Sequence, residues 1–309
     1  MPAIPDITID APIRTWFGVG GRADRLCLAR SEDDLLLALH EDPGLRILGE
    51  GANLIVDDDG VAELVVALAE PGFNSIDINP RTGLVRAGAA AKLPALVKRT
   101  AEKGLAGLEV LAGFPATVGG AIVMNAGGRY GDISACLTRV FALDRQSGPV
   151  VLERSAIAFG YRTSGLSRLI ITAAEFQLIP DDPSAVRDRH MRIMEYKRTT
   201  QPLKANSAGC CFKNPTIDRI LTIPDGQGGH NEFQPGSRIS AGLLIDRAGC
   251  KGTRLGSATV SDHHANFITA DAGGKASDVL ALMDVAAGRV LDAFGVTLEP
   301  EVVIWRRSP

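Results

Sequence analysis

The sequence predicts an α+β protein of more than one domain, and three observations lead there. The chain has 309 residues, and at about 150 residues per domain that suggests two domains or one with a large insert. Short apolar runs broken by glycine-rich turns fill much of its first part, as short strands do. The composition then shifts at Pro180-Asp181-Asp182-Pro183, after which helical spacing of apolar residues becomes prominent.

In chain order, Ser31-Glu32-Asp33-Asp34 ahead of Leu35, Leu36 and Leu39 predicts an N-capped helix. Arg46-Ile47-Leu48 enters the glycine turn Gly49 to Asn53, and Leu54-Ile55-Val56 leaves it: strand, loop, strand. Leu64 to Leu68 and Leu84 to Ala87 follow as strands. Lys92 to Lys103 carries Leu93, Leu96 and Val97 on one helical face, with Gly104 as its stop. Gly113 to Ala121 forms a second glycine cluster leading to Asn125-Ala126-Gly127-Gly128, followed by strands at Val140 to Leu143 and Leu169 to Leu178. Ser184 to Arg198 predicts a helix that opens a second domain, which also holds helices at Ala241 to Ala248 and Asp278 to Phe294. Gly295 closes the last of these, and Thr297 to Trp305 is a final strand.

Composition narrows the function. Apolar residues make up 45% and charged residues 22%, which excludes disorder as the dominant state. With 33 basic residues against 36 acidic ones, the net charge of −3 offers no field to collect nucleic acid. No apolar stretch approaches the roughly 18 residues of a membrane span. Met1 to Pro12 carries acids and prolines rather than a signal sequence, so a cytoplasmic protein is expected. The 5 cysteines are an odd count without CxxC spacing, which argues against a disulfide framework and against structural zinc. No metal site is expected.

The 34 glycines are the compositional signal. Two glycine loops flanked by short strands suit a diphosphate ligand, because their N–H groups can face anionic oxygens and no Cβ obstructs the approach. Neither loop has the Walker pattern or the Gly-x-Gly-x-x-Gly spacing, and turns without a ligand explain each loop equally well. Ser207 to Pro215 reads singly as a core strand entering a turn, with both cysteines as small buried hydrophobes. His263-His264 lacks the acidic partner of a metal motif and reads as a solvated turn.

Together and in order these segments say more. Thr15-Trp16-Phe17-Gly18-Val19-Gly20-Gly21 comes first, then Leu48 to Val56 and Gly113 to Gly127. Tyr161-Arg162-Thr163-Ser164, Gln201-Pro202, Ala208 to Pro215, Ser261 to Phe267 and Leu298 to Val302 follow. From about Thr15 to Val302 the chain resembles the UDP-N-acetylenolpyruvoylglucosamine reductase (UDP-N-acetylmuramate dehydrogenase) family of peptidoglycan synthesis. The resemblance implies a two-lobed FAD-binding fold of the vanillyl-alcohol-oxidase (PCMH) type plus a smaller α/β substrate-binding domain. The implied ranges are 1–180 for the flavin region, with lobes of about 1–75 and 76–180, 184–296 for the substrate domain, and 297–309 for a strand returning to the flavin.

It also implies non-covalent FAD, NADPH as co-substrate and UDP-N-acetylglucosamine enolpyruvate as substrate, with no nucleic-acid or membrane partner and a monomeric chain. Matching positions put FAD against Gly49, Glu50, Gly51, Ala52, Asn53 and Leu54, and against Gly113, Pro115, Ala116, Thr117, Gly119, Gly120, Ala121, Asn125 and Gly127. NADPH reduces the flavin; hydride then reaches C3 of the enolpyruvyl group and C2 is protonated. Arg162 is implied as the cation for charge building on the substrate carboxylate, and Glu301 as the carboxyl that helps stabilise the enolic intermediate. Tyr161, Lys213, Asn214 and His264 are the implied substrate contacts.

The implied proton donor is Cys210, where the family commonly has serine; Ala208-Gly209 and Phe212 to Pro215 fix the register. Strand alternation then turns Cys211 into the core. A thiol near its reference pKa of about 8.5 keeps its proton at pH 7 and releases it more readily than an alcohol. Other departures are Ala52 for a serine, Ala116 for a glycine, a Gly127 to Gly131 turn longer by one residue, and Thr200 for a diphosphate-binding lysine. Lys204, Arg198 or Lys213 are the candidates to replace that lysine. Only 48 positions separate Arg162 from Cys210, which fits the shorter subtype without a tyrosine lid. Two alternatives stand beside this reading: another FAD-dependent oxidoreductase of the same superfold, or a flavin- or UDP-sugar-binding protein without catalysis.

Overall fold

The computed structural model describes residues 7–202 and 205–307. The chain divides into two compact units, one of residues 1–11, 23–50 and 62–199, the other of residues 12–22, 51–61 and 200–309. Residues 12–22 and 51–61 belong with the C-terminal part, and the helix after Pro183 belongs with the N-terminal part.

The first unit contains a four-stranded sheet in the order Ile7–Pro12, Arg22–Ala29, Val65–Leu68, Arg46–Leu48. Val65–Leu68 runs parallel to both its neighbours, pairing Leu26 with Val65 and Leu48 with Ala67. Helix α1, Glu32–Glu41, packs Leu35, Ala38 and Leu39 onto it beside Cys27, Val66 and Phe73. Ser31 caps α1 reciprocally: its hydroxyl accepts from the Asp34 N–H at 3.1 Å and its own N–H donates to the Asp34 carboxylate at 3.1 Å.

An antiparallel sheet follows in the order Gly148–Glu153, Leu137–Asp144, Leu169–Gln177, Leu84–Gly88, Ile76–Ile78. Helix α2, Leu93–Glu102, and the short α3, Val118–Val123, cover it. Their buried Leu93, Leu96, Val97, Val118 and Ile122 share a core with Val85, Val140 and Phe176. Helix α4, Pro183–Thr200, adds Ile193 to that core. Its Arg189 is ion-paired with Glu109 at 2.9 Å and Asp181 at 2.7 Å. The charged and apolar alternation of α4 is legible in the sequence; the unit it packs with is decided by Ile193 and by the pairing of Arg189 with Glu109 and Asp181.

The second unit packs helices α5, Ala241–Arg247, and α6, Ala276–Phe294, against a three-stranded sheet of Arg254–Leu255, Ala258–Val260 and Ile268–Ala270. Val279, Leu282, Met283, Ala286 and Val290 of α6 share a core with Leu244, Ile245, Val260 and Ile268. A hairpin of Leu221–Pro224 and His230–Phe233 adds Leu221 and Ile223. Leu54–Val56 pairs in parallel with Val303–Trp305, so the last strand is shorter than Thr297 to Trp305. Pro300 has no N–H to give a ladder, and it makes only an isolated bridge to Phe212.

Candidate active site

The first glycine loop, residues 49–53, joins two strands. Gly51 has φ 63° and a Cβ there would lie 2.2 Å from the Arg14 carbonyl oxygen, so the backbone itself demands glycine. The Gly51 carbonyl accepts from the Trp16 N–H at 3.0 Å. A Cβ at Gly49 would stand 3.0 Å from the Thr117 hydroxyl. Among the described residues, the amides of Glu50, Ala52 and Asn53 donate no hydrogen bond. Half-buried, unsatisfied N–H groups in one tight turn are a receptor for anionic oxygens. Glu50 faces Lys92 at 3.9 Å, and Leu54 is buried opposite Val303.

The second cluster is built differently. Thr117 caps α3 by accepting from the Gly120 N–H at 3.2 Å. Val118 and Gly119 donate to the Ala91 and Ala89 carbonyls at 2.9 Å each, so the helix start turns no open row of amides outward. Gly119 allows contact with Ala89, whose Cβ would lie 3.0 Å from its own. Gly127 is needed because a Cβ would sit 2.3 Å from that of Asp132. Gly113 abuts Lys197 and Met194, the Ala116 carbonyl accepts from the Leu93 N–H at 2.8 Å, Pro115 is half-buried, and Ala121 is buried. Most of these glycines therefore serve packing.

What this segment does present is Asn125. It is 5% exposed, has φ 42°, and donates Nδ2 to the Gly160 carbonyl at 3.0 Å. Its Oδ1 is buried with no hydrogen-bond partner. Arg162 has φ 58° and lies in a turn closed by two backbone bonds between Gly160 and Thr163. Its Nη1 donates to the Gly127 carbonyl at 2.7 Å, and its guanidinium stands 5.1 Å from the Tyr161 ring centroid. Two non-glycine residues in the left-handed region, each bonded to the other's segment, mark a backbone held against its local preference.

In the second unit the segment from Cys210 to Phe212 alternates as a strand does. Cys211 is fully buried, and burial pushes its thiol up to about 12. Cys210 is only half-buried and bridges to Phe267. Asn266, 2% exposed, pins this segment. Its side chain accepts from the Phe212 N–H at 2.9 Å and donates to the Phe212 carbonyl at 2.8 Å, while its carbonyl accepts from the Cys211 N–H at 2.8 Å. Asn266 lies in the Ser261 to Phe267 segment but nothing in its spacing singles it out; an asparagine among buried neighbours is the signal available.

The Glu301 N–H donates to the Cys211 carbonyl at 2.8 Å. The Asn53 side chain donates to the Glu301 carbonyl at 3.1 Å. Lys213 donates its N–H to the Glu299 carbonyl at 2.9 Å and pairs with that carboxylate at 3.4 Å. Asn214 accepts from the Ala241 N–H at 2.9 Å, docking its turn on the start of α5. His264 is half-buried, against the solvated-turn expectation, and its ring lies edge-on to Phe267 at 4.8 Å. Burial lowers its pKa, with Lys251 and His263 adding to the effect.

Tyr161, Arg162, Asn125 and Gly127 are thus brought together in one unit, and Cys210, Lys213, Asn214, His264, Glu301 and Asn53 in the other. Thr200 ends α4, Arg198 is tied to Glu195 at 2.6 Å, and Lys204 lies outside the described residues. Among the described residues no helix is long and apolar enough to cross a membrane.

Residues 24–152 match an FAD binding domain, and residues 201–305 match the C-terminal domain of UDP-N-acetylenolpyruvoylglucosamine reductase. The reductase of Moorella thermoacetica is 38% identical over 296 residues, covering 94% of this chain and 89% of that protein. That of Bradyrhizobium sp. (strain ORS 278) is 34% identical with the same coverage. The crystal structure of the Thermus caldophilus enzyme matches with a TM-score of 0.77 and 36% identity, over 97% of this chain and 98% of that one.

Proposed function

The chain belongs to the UDP-N-acetylenolpyruvoylglucosamine reductase family, and from that premise we propose how its own residues carry the reaction. The protein is an FAD-containing oxidoreductase with an FAD-binding domain of the PCMH type and the family's C-terminal domain. It uses NADPH to reduce UDP-N-acetylglucosamine enolpyruvate to UDP-N-acetylmuramate in peptidoglycan precursor synthesis.

The residues present fit a flavin dinucleotide. The unsatisfied amides of Glu50, Ala52 and Asn53 suit diphosphate oxygens, and the buried Oδ1 of Asn125 lacks the donor it needs. When bound, FAD supplies the hydride relay from NADPH to C3 of the enolpyruvyl group. Arg162 supplies positive charge for the substrate carboxylate, on which negative charge develops. Its bond to Gly127 fixes the guanidinium in advance, so little reorganisation accompanies the charge change. Glu301, held by backbone bonds on either side of its Cα, stabilises the enolic form. Cys210 Sγ–H gives its proton to C2. Tyr161, Lys213, Asn214 and His264 contact the nucleotide-sugar.

The observation that carries this reading is the division of labour between the adjacent cysteines. Cys211 is buried beside the Glu301 backbone with its thiol pushed up to about 12, while Cys210, in the register of the proton donor, is only half-buried. The odd count of 5 cysteines, without CxxC spacing, supports a reducing, cytoplasmic setting; a monomer is the working assembly proposed. The test is flavin absorbance of the purified protein followed by NADPH consumption with and without the enolpyruvyl substrate. Substrate-dependent consumption is expected. A yellow protein that only passes electrons to oxygen would contradict the assignment.

A further inference from the structure

Asn125 holds two groups that face different tasks. Its Nδ2 donates to the Gly160 carbonyl at 3.0 Å, at the base of the turn that carries Arg162. Its Oδ1 is buried and has no partner. A buried amide oxygen left unsatisfied is costly, and such a group in a native protein calls for an explanation, of which a bound partner is one. The backbone adds a second sign. Asn125 at φ 42° and Arg162 at φ 58° are both left-handed, and the Asn125–Gly160 and Arg162–Gly127 bonds cross between their two segments. Asparagine tolerates that conformation better than most residues.

Donor and acceptor chemistry narrows what Oδ1 can meet. A diphosphate presents only acceptors, so this oxygen is no phosphate ligand. A flavin nucleotide does offer donors, the ring N–H and the ribityl hydroxyls. We propose that Asn125 is a positioning residue that couples cofactor binding to the placement of Arg162: Oδ1 accepts a hydrogen bond from an N–H or O–H of bound FAD while Nδ2 holds the Gly160 carbonyl. This rests on the flavin reading above. The side chain is held by protein through Nδ2; a donor of bound FAD on Oδ1 holds it at both ends, and the Gly160 to Thr163 turn with it.

Two variants separate the two bonds. Asn125→Asp keeps an acceptor and suits a left-handed backbone but loses the donor to Gly160; Asn125→Leu loses both. Apoprotein is titrated with FAD at pH 8 and followed by flavin fluorescence. The leucine variant is expected to bind about tenfold more weakly, the effect of one lost hydrogen bond, and the aspartate variant within a few-fold of wild type. At saturating FAD the aspartate variant is expected to lose about tenfold or more in kcat, with the KM for NADPH little changed, because the Arg162 turn is loosened. A third readout is tryptic cleavage after Arg162, which FAD should suppress in wild type and suppress much less in the leucine variant. Wild-type FAD affinity in Asn125→Leu, or wild-type kcat in Asn125→Asp, overturns the coupling. If the leucine variant fails to fold, equal cleavage of wild-type apoprotein and holoprotein after Arg162 overturns it instead. Absence of FAD binding or turnover in wild type would count against the flavin reading and is thereby distinguished.

Discussion

Asn53 donates its side-chain amide to the backbone carbonyl of Glu301 at 3.1 Å, across 248 positions of sequence. Two residues on, the Val303 N–H donates back to the Asn53 carbonyl at 3.0 Å, and the Glu301 N–H is taken by Cys211 at 2.8 Å. The backbone on both sides of the Glu301 carboxylate is therefore fixed by the glycine loop and by the cysteine strand. Asn53, expected from sequence as a cofactor contact, has its side chain used in this way.

Glu301→Gln is expected to lower turnover on the order of 10²-fold, because a neutral amide cannot do the electrostatic or proton work of a carboxylate. Flavin content should change little, since the fixing bonds are made by the backbone. Asn53→Ala should cost about 1 kcal/mol of stability, one hydrogen bond, measured by urea denaturation. A Glu301→Gln enzyme with wild-type kcat would remove that carboxyl from the mechanism.

Arg162→Lys tests the second charge. Lysine keeps the charge but lacks the planar fork, so it cannot both hold the Gly127 carbonyl and present parallel donors to a carboxylate. A loss of order 10²-fold in kcat at near-normal flavin content is expected. The measurement is steady-state turnover alongside the absorbance ratio of flavin to protein.

Local signals were the legible part of the fold. The Ser31 capping box and the Gly295 stop of α6, at φ 59°, fix helix ends from neighbouring residues alone. The strand at Leu54 to Val56 was readable, but not its pairing with Val303 to Trp305, because nothing local encodes a partner so distant. The glycine clusters show the limit most clearly. Gly51 and Gly127 are required by protein backbone or side chains, and the close approach of a ligand would leave the same mark in a sequence. Asn266 and Asp58 escaped for the converse reason: each acts on backbone far away in the chain.

Asp58 supplies the cap that α6 lacks locally, since Lys275 has no capping side chain. Its carboxylate accepts from the Ala276 N–H at 2.7 Å and the Ser277 N–H at 3.0 Å. Burial alone would raise its pKa; the hydrogen bonds from Ser277 and Ala276 outweigh that and hold it below the ordinary value. Asp58→Ala should cost about 1 kcal/mol, the usual worth of an N-cap, without altering FAD affinity. Because the folded pKa is depressed, the cap's contribution is present above the unfolded value and fades as pH falls through the folded one. Denaturation midpoints of the two proteins should therefore converge at low pH.

His264 gives a pH dependence of different range. Burial lowers its pKa below 6.5, with Lys251 and His263 adding to the effect, and its Nδ1 accepts from the Asn266 N–H at 3.3 Å. Protonation would set a donor against that N–H, beside the residue that pins the cysteine strand. The unfolded chain takes up the proton first on acidification, so this contribution is full above about pH 6.5 and is lost as pH falls below it. Denaturation at pH 7.5 and 5.5 should show a larger loss for wild type than for His264→Gln. Equal losses would mean the imidazole does not titrate between those values.

Cys210 carries the sharpest test. Cys211 and Cys136 are buried with thiols pushed up to about 12, Cys250 is raised by burial, and Cys27 is buried. An alkylating reagent should therefore label the native protein at Cys210 first, and bound enolpyruvyl substrate should slow that labelling. Cys210→Ser should stay active, because a hydroxyl can also donate. Cys210→Ala should bleach with NADPH at a near-normal rate but lose 10² to 10⁴-fold, roughly the worth of general acid catalysis, when the enolpyruvyl substrate reoxidises it. Stopped-flow absorbance separates the two phases. If Cys210 were only packing, alanine would lower the unfolding midpoint and leave both phases intact; an unaffected reoxidation phase would therefore sink its role as proton donor.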